Sequence, residues 1–331
     1  MRVVVYLPAL NESATIGAVL DSIPSRLNGG IEVRKIVIDD GSTDETASEA
    51  ARHGARVVRH FTNLGTGKGF VSGVYAALAE GADVIVSMDA DGQFRGQDIP
   101  ALLSPILEGS ADVVLCSRFG DGGGLIGTMS WPKRFGNQLL THAINSIASR
   151  QFTDVSCGFR AFTRDAALRI DIHSDYEYIH ESLLNWSRYG LRIREVCLPV
   201  LAERSIGKSR IMRSVLTYAV RSGPVLIRAT RDYSPLKFFG ALSVVAFITS
   251  ILIGLAVFVH WLRTGETAPY TSFITVSVGG VLFALLLGTV ALLADLIARL
   301  RFQVEELLYE SRRQRVEHHL RSDAGDEVRS S

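Results

Sequence analysis

The chain is poor in cysteine, poor in net charge and poor in repeats, and each shortage excludes something. Its three cysteines, Cys116, Cys157 and Cys197, are scattered through 331 residues, odd in number and without metal-ligand spacing. A disulfide framework is excluded, and buried free thiols in a reducing compartment are expected. Lys and Arg number 35 against 34 Asp and Glu, a net charge of +1, so there is no global case for nucleic-acid binding. No signal peptide is expected, because Met1-Arg2-Val3 leads directly into a strand-like run. No internal repeat or long low-complexity tract interrupts the sequence. The polar tail after Arg321 reads as disordered.

Apolar residues are what the chain has in plenty, at 47%, with a positive mean hydropathy of +0.21. Much of the excess lies in two segments. Phe238 to Val259 is 22 residues without a charge and Thr271 to Ala294 is 24. At about 1.5 Å per residue each is long enough to cross the hydrocarbon core of a bilayer. Only Leu262 to Tyr270 separates them, so they form a hairpin, with Trp261 and Tyr270 at its mouth where interfacial aromatics belong. We assign spans to 238–261 and 270–295. Arg221, Arg228, Arg231 and Lys237 precede the first span, and Arg299, Arg301, Arg312, Arg313 and Arg315 follow the second. In the intervening loop Arg263 is offset by Glu266. The positive-inside rule then puts both termini in the cytoplasm, with a large cytosolic N-terminal domain and a basic tail over 296–331.

The first 200 residues alternate short β-branched runs with helix-like stretches. Val3–Leu7, Ile36–Asp39, Val57–Arg59, Val84–Met88 and Val113–Cys116 read as strands. Their apolar runs are continuous rather than alternating, which predicts an α/β fold with a mostly parallel sheet covered on both faces. Ser42 and Glu45 suggest a capping box for a helix over Thr43–His53. Lys68–Glu80 reads as a helix stopped by Gly81, and Asp98 with Pro100 as the start of another ending at Glu108.

In such sheets ligands bind beyond the carboxyl ends of the strands. Three strands deliver acidic or amide residues there: the first ends in Pro8-Ala9-Leu10-Asn11-Glu12, another in Asp39-Asp40-Gly41-Ser42-Thr43-Asp44, and a third in Asp89-Ala90-Asp91-Gly92-Gln93. Two carboxylates one residue apart raise each other's pKa unless a cation intervenes. A hard divalent ion shared with substrate phosphates resolves that conflict; an acidic turn capping the next helix is the simpler alternative. Three such clusters converging on one sheet edge make a pocket that either neutralises charge with a cation or hydrogen-bonds hydroxyls and base edges.

PALNE (8–12), DDGSTD (39–44) and DADGQ (89–93), in this order and spacing, resemble family-2 glycosyltransferases of the GT-A fold. Ser117-Arg118, Arg134-Phe135-Gly136-Asn137, the Asp154–Phe162 stretch DVSCGFRAF, and Arg204-Ser205-Ile206-Gly207-Lys208-Ser209-Arg210 are similar to the dolichol- or polyprenyl-phosphate branch of that family. The resemblance covers about residues 1–215, and the two-span hairpin matches membrane-anchored members of the branch. Cys157 stands where many relatives have serine, and Arg210 where lysine is common.

The resemblance implies a nucleotide-sugar donor, a polyprenyl or dolichyl phosphate acceptor and a divalent cation, Mg2+ or Mn2+. Pro8, Asn11 and Glu12 are then expected at the nucleoside, Asp39 at the base with Asp40 beside it, and Asp89, Asp91 and Gln93 at the metal. Arg204 and Lys208 are expected over the donor diphosphate, and Arg118 and Arg134 at the acceptor phosphate. Asp154 orients the acceptor, acts as a base, or pairs with a neighbouring arginine. The Gly65-Thr66-Gly67-Lys68-Gly69 run fails the G-x-x-x-x-G-K-[ST] spacing and reads either as a flexible loop assisting the donor or as turn chemistry alone. His142, His173, His180, His318 and His319 lack metal-site spacing. Glu177 and Glu181 would share a helix face, where they pair with site arginines or face water. Ile211 to Ala229 reads as a basic amphipathic stretch on the membrane surface, within a juxtamembrane segment at 213–237. Val304 to Arg315 has a helical pattern suited to oligomerisation. Two rival functions are a processive polysaccharide synthase, which lacks support because there is no Q-x-x-R-W motif and two spans make no pore, and a non-catalytic nucleotide-sugar sensor, which would not need both carboxylates and all four basic residues.

Overall fold

The computed structural model describes residues 1–120, 124–127, 129–172, 178–202, 230–231 and 233–330, the side chains at 132 and 319–330 excepted. Arg204, Lys208, His173, Glu177 and the stretch 211–229 lie outside the described residues. Two compact units are present, Met1–Gly223 with Glu305–Ser331, and Pro224–Val304.

The first unit is built on an eight-stranded sheet. Its strands are β1 (Arg2–Ala9), β2 (Arg26–Leu27), β3 (Ile31–Asp39), β4 (Arg56–Arg59), β5 (Val84–Ser87), β6 (Val113–Ser117), β8 (Arg160–Thr163) and β9 (Ile193–Cys197). The order is β2-β3-β1-β5-β8-β6-β9, with β4 also on β3. β1 pairs in parallel with β3 and β5, β3 with β4, and β6 with β9. The short edge strand β2 is antiparallel, and so is β8, which separates β5 from β6. A two-stranded sheet pairs β7 (Leu125–Ile126) with β10 (Val200–Leu201).

The reversal of β8 decides what gathers at the sheet's carboxyl edge. Ser87, the last residue of β5, lies opposite Arg160, the first of β8. The segment entering β8, which holds Asp154 and Gly158, therefore meets the segment leaving β5, which holds Asp89 and Asp91. The mostly parallel sheet expected from the sequence is present, and its antiparallel strand β8 brings these two segments together.

Helices cover both faces, because successive strand residues point to opposite sides. On one face Val3, Val5 and Leu7 of β1 join Ile16 and Leu20 of α1 (Ile16–Ser22), Ala50 of α2 (Thr46–Arg52) and Leu102 and Leu103 of α4 (Ile99–Leu107). On the other, Tyr6 meets Phe70 of α3 (Thr66–Ala79) edge-on with ring centroids 6.1 Å apart. There too Phe162 of β8 packs on Trp186 of α7 (Tyr178–Arg188) at 5.2 Å. Gly73 lets α3 approach closely, since a Cβ there would come within 2.2 Å of the Tyr6 ring. Each fully buried Val, Leu or Ile contributes about 1.5–3 kcal/mol relative to exposure. Two further helices are α5 (Trp131–Ala148) and α6 (Arg164–Leu168).

Asp98 and Pro100 open α4 as expected, and Gly81, at φ 71°, follows the end of α3. The predicted capping box is absent: Ser42 Oγ accepts from the Asn11 amide, and α2 starts at Thr46, whose N–H donates to Asp44 Oδ1 at 3.0 Å. Thr66 already opens α3, so the run from Thr66 to Gly69 is a helical turn rather than a flexible loop. Cys116 and Cys157 are buried free thiols, whereas Cys197 is only half-buried.

The second unit holds α8 (Pro235–Thr264) and the first part of α9 (Thr271–Ser330), both long and apolar enough to cross a membrane. Small residues let the two helices meet, as expected where lipid removes any hydrophobic drive between them. A Cβ on Gly280 would sit 2.1 Å from Ser250 Oγ, and Ser277 Oγ donates to the Ser250 carbonyl at 2.8 Å. Beyond the apolar stretch α9 rejoins the first unit. Tyr309 donates to Asp165, Arg169 lies over the Tyr309 ring at 3.9 Å, and Arg188 pairs with Glu305 at 3.3 Å. The stretch Val304–Arg315, a candidate oligomer contact by sequence, thus directs Glu305 and Tyr309 onto the chain's own α6 and α7. The bounds of α9 extend to Ser330.

Candidate active site

The loops after β1 and β3 are clasped by hydrogen bonds. The Asn11 amide donates to Ser42 Oγ at 2.9 Å, Asn11 Oδ1 accepts from the Thr43 amide at 2.8 Å, and the Glu12 amide donates to Thr46 Oγ1 at 2.8 Å. Asn11 adopts a positive φ of 51°, a conformation that asparagine tolerates better than most residues. Gly41, at φ 76°, fits because a Cβ would lie 2.7 Å from the Thr62 backbone. Pro8 sits in β1 opposite Ile38.

Asp39 is fully buried at the end of β3. Its Oδ1 accepts from the Ser42 amide at 2.9 Å; its Oδ2 lies 3.1 Å from Arg59 Nε, an ion pair without hydrogen-bond alignment. Asp40, expected beside the nucleotide, is occupied elsewhere. Its Oδ1 accepts from the Leu64 amide, its Oδ2 from the Gly65 amide, both at 2.9 Å, and Oδ1 also meets His60 Nδ1 at 2.7 Å. Asp40 therefore braces the turn that starts α3. Lys68 is exposed on the first turn of that helix.

The Asp89–Gln93 segment is tied to both neighbours. Thr15 Oγ1 donates to the Ala90 carbonyl at 2.8 Å and also reaches the Glu12 carbonyl at 3.2 Å, joining it to the first loop. Asp91 is buried, and its Oδ1 accepts from the Gln93 amide at 3.0 Å. Gln93 Nε2 donates to the Leu201 carbonyl at 2.8 Å, and the Leu201 amide donates back to the Gln93 carbonyl at 3.1 Å. This staples the acidic segment to β10, immediately before the sequence that leads to Arg204. Phe94 stacks on Phe159 with centroids 5.2 Å apart. Gly158 lies directly against Asp89: a Cβ there would be 3.0 Å from Asp89 Oδ2. Among the described residues no three His, Cys, Asp or Glu side chains form a metal cluster. Two carboxylates and an amide oxygen fit a hard cation that takes its remaining ligands from phosphate oxygens.

Across β8 lies a second polar centre. Arg118 follows β6, and its Nε and Nη2 donate to Asp154 Oδ2 and Oδ1 at 2.6 and 2.9 Å. Asp154 is fully buried and also accepts from the Ser156 amide at 3.1 Å. Burial works to raise its carboxyl, but the Arg118 hydrogen bonds and charge outweigh this and hold it below the ordinary carboxylate range. Asp154 is thus paired with Arg118, as the last of the alternatives for it expects. Arg118, expected with Arg134 at the acceptor phosphate, has two of its three nitrogens committed to Asp154. Asn137 of α5 donates to Asp154 Oδ1 at 3.4 Å. Arg134 is exposed one turn earlier on the same helix.

Several contributors were not singled out from sequence. Glu195 in β9 accepts from the Thr153 and Asp154 amides at 2.8 and 3.0 Å, and burial raises its carboxyl despite those bonds. Arg160 is fully buried, with no carboxylate partner among the described residues; it donates to the Cys157 and Val155 carbonyls at 2.8 and 3.1 Å and so shapes the Asp154–Gly158 loop. Arg160 lies in the DVSCGFRAF stretch without an assigned role, and Glu195 had no sequence signal beyond its place in a charged strand.

A sheet edge carrying this set of motifs can be compared with known proteins. Residues 4–170 match the family model Glycosyl transferase family 2. The chain belongs to glycosyltransferase family 2. Glycosyltransferase AglJ of Haloferax volcanii is 30% identical over 316 residues, 92% of this chain and 98% of its own length. The undecaprenyl-phosphate mannosyltransferase of Micrococcus luteus is 29% identical over 238 residues, 66% and 91% of the two chains. Among solved structures, glucosyl-3-phosphoglycerate synthase from Mycobacterium tuberculosis, in complex with Mn2+, UDP and glucosyl-3-phosphoglycerate, superimposes with a TM-score of 0.53. It is 25% identical, over 69% of this chain and 78% of that one. The GT-A fold and the family-2 membership expected from the motifs both stand, and the chain is a glycosyltransferase.

Proposed function

We propose that this glycosyltransferase moves a hexosyl group, with inversion, from a nucleotide-sugar (GDP-mannose or a UDP-sugar) to a polyprenyl or dolichyl phosphate at the cytosolic face of a membrane. One contact carries the reading: Gly158 against Asp89. It joins the acidic segment suited to a donor diphosphate to the Arg118–Asp154 centre suited to an acceptor phosphate. Two anionic substrates need such adjacent but distinct stations. The spanning helices, the arginine-rich flanks and the lipid-phosphate relative support an acceptor that arrives from a bilayer with both termini cytosolic.

The attacking group is the phosphate oxygen of the acceptor. With a second pKa of about 6 it is already largely dianionic at neutral pH, so no general base is required. This agrees with an Asp154 whose carboxylate is buried under Arg118. Asp154 aims the guanidinium, and Arg118 offers Nη1 to the incoming phosphate with Arg134 as second cation. Asn11, Glu12 and Asp39 hold the nucleoside end, with Arg59 restraining Asp39. Asp89, Asp91 and Gln93 would hold a divalent cation, which when bound takes up negative charge on the departing diphosphate. Arg204 and Lys208, which follow β10 in sequence, would add to that stabilisation.

Transfer of radiolabel from a nucleotide-sugar into organic-extractable lipid tests the reaction. Screening GDP-mannose and UDP-sugars against one polyprenyl phosphate, with Mg2+ or Mn2+, identifies the donor. Label in a soluble polymer, or donor binding without transfer, would overturn the proposal.

A further inference from the structure

Glu195 stands in β9 opposite Leu115 of β6, half-buried and with no cationic partner among the described residues. Burial pushes its carboxyl up, and the nearby Asp154 charge adds to the effect. A carboxylate kept there without a cation costs stability, so what it holds matters. The Thr153 amide donates to its Oε2 at 2.8 Å and the Asp154 amide to its Oε1 at 3.0 Å. The Thr153 hydroxyl donates to Oε1 at 3.2 Å, because an ionised carboxylate can only accept. That choice fixes the next link. Ser117 Oγ and Thr153 Oγ1 lie 2.6 Å apart, and with the Thr153 hydrogen committed to Glu195 it is Ser117 that donates. Ser117 Oγ then accepts from the Phe119 and Gly120 amides at 3.2 and 3.1 Å. One charge on β9 therefore orients a chain of donors that runs into the turn after β6.

The chain of hydrogen bonds ends on both members of the ion pair. Asp154 carries one of the amides held by Glu195. Arg118 lies between Ser117 and Phe119, with its own amide 3.2 Å from Asp154 Oδ2. We propose that Glu195 is a positioning residue for the acceptor phosphate, fixing the backbone on both sides of the Arg118–Asp154 pair and so setting where the guanidinium points. Its hydrogen bonds go to the Thr153 and Asp154 amides and the Thr153 hydroxyl, not to either side chain of the pair, so it acts through them. The role rests on the acceptor reading above. Charge is the property required: in Glu195→Gln one oxygen becomes an NH2 group facing the N–H and O–H donors that converge there.

Full-length protein in nanodiscs provides the test, assayed with a polyprenyl phosphate and whichever of GDP-mannose and the UDP-sugars supports transfer. Glu195→Gln is expected to raise the acceptor KM about tenfold, with donor KM and kcat within about twofold of native. Thr153→Val cuts only the hydroxyl link and should shift the acceptor KM the same way by about threefold, at near-native Tm. Added to Asp154→Asn, Glu195→Gln should raise the acceptor KM by less than about twofold more, because both act through one guanidinium. Hydrogen exchange needs no acceptor: the Thr153, Asp154, Phe119 and Gly120 amides should all exchange faster in Glu195→Gln. An acceptor KM that neither substitution moves overturns the proposal. So does a fall in kcat alone, or full multiplication of the two effects in the double variant. If the native chain transfers to no prenyl phosphate, the acceptor assignment fails and the exchange result decides the rest. Unchanged protection then removes Glu195 as the clamp of the pair, and faster exchange on both sides retains it.

Discussion

Arg118 holds Asp154 through two parallel hydrogen bonds, Nε to Oδ2 at 2.6 Å and Nη2 to Oδ1 at 2.9 Å, and Asp154 has no exposed surface. Planar fork-to-carboxylate pairing of this kind fixes direction as well as charge. A group that aims an arginine behaves differently on mutation from a group that takes a proton.

Asp154→Asn keeps the shape and removes the charge, leaving a mostly buried Arg118 unpaired. A loss of about 3 kcal/mol is expected, the low end for breaking a buried pair because Arg118 retains some exposure. The acceptor KM should rise while the donor KM stays near its native value. Thermal melts and two-substrate kinetics measure both, and a selective loss of kcat with normal KM for both substrates would restore Asp154 as a base.

The same pair predicts a pH signature. Asp154 has a folded-state pKa held below its unfolded value of about 3.9, so its stabilisation is present above that value and is lost as pH falls through the folded pKa. Asp154→Asn should therefore flatten the acid limb of the stability curve below about pH 4. Urea midpoints at pH 3 and pH 6 for the two proteins check this; parallel curves would contradict it.

Gly158→Ala adds a methyl 3.0 Å from Asp89 Oδ2 without backbone strain, since Gly158 has no positive φ. A displaced carboxylate should cut kcat about 10- to 100-fold, in line with the cost of small misplacements in a reacting site. Tm should change little. Activity within twofold of native would show that Asp89 accommodates the methyl and that its position is not critical.

Asp40→Ala removes an acceptor of the Leu64 amide and one of two partners each of the Gly65 amide and the His60 ring. The expected cost is about 1–3 kcal/mol of stability, with faster amide exchange through residues 60–66 and no change in nucleotide selectivity. Asp91→Asn, by contrast, should leave Tm nearly unchanged and lower kcat about 100-fold or more with a weaker response to added Mn2+. If the two variants exchanged phenotypes, the division between brace and site residue would be reversed.

What the sequence by itself determined is local and periodic. Continuous apolar runs mark β1, β3, β5 and β6 because strands buried on both faces need no polar alternation. Uncharged stretches of 22 and 24 residues mark α8 and α9 because bilayer thickness sets a length. The motifs at 8–12, 39–44 and 89–93 reveal a binding edge because parallel strands expose their carboxyl ends together. Tertiary structure alone decided what each of those residues touches. Asp39 and Asp40 are adjacent in sequence, yet Asp40 is turned to the α3 turn and Asp39 to Arg59. Asp89 meets Gly158, and Arg118 meets Asp154, only because β8 runs against its neighbours and presents its entering loop to the exit of β5. Strand direction is a pairing choice between segments about 70 residues apart, and no local preference of either segment records it.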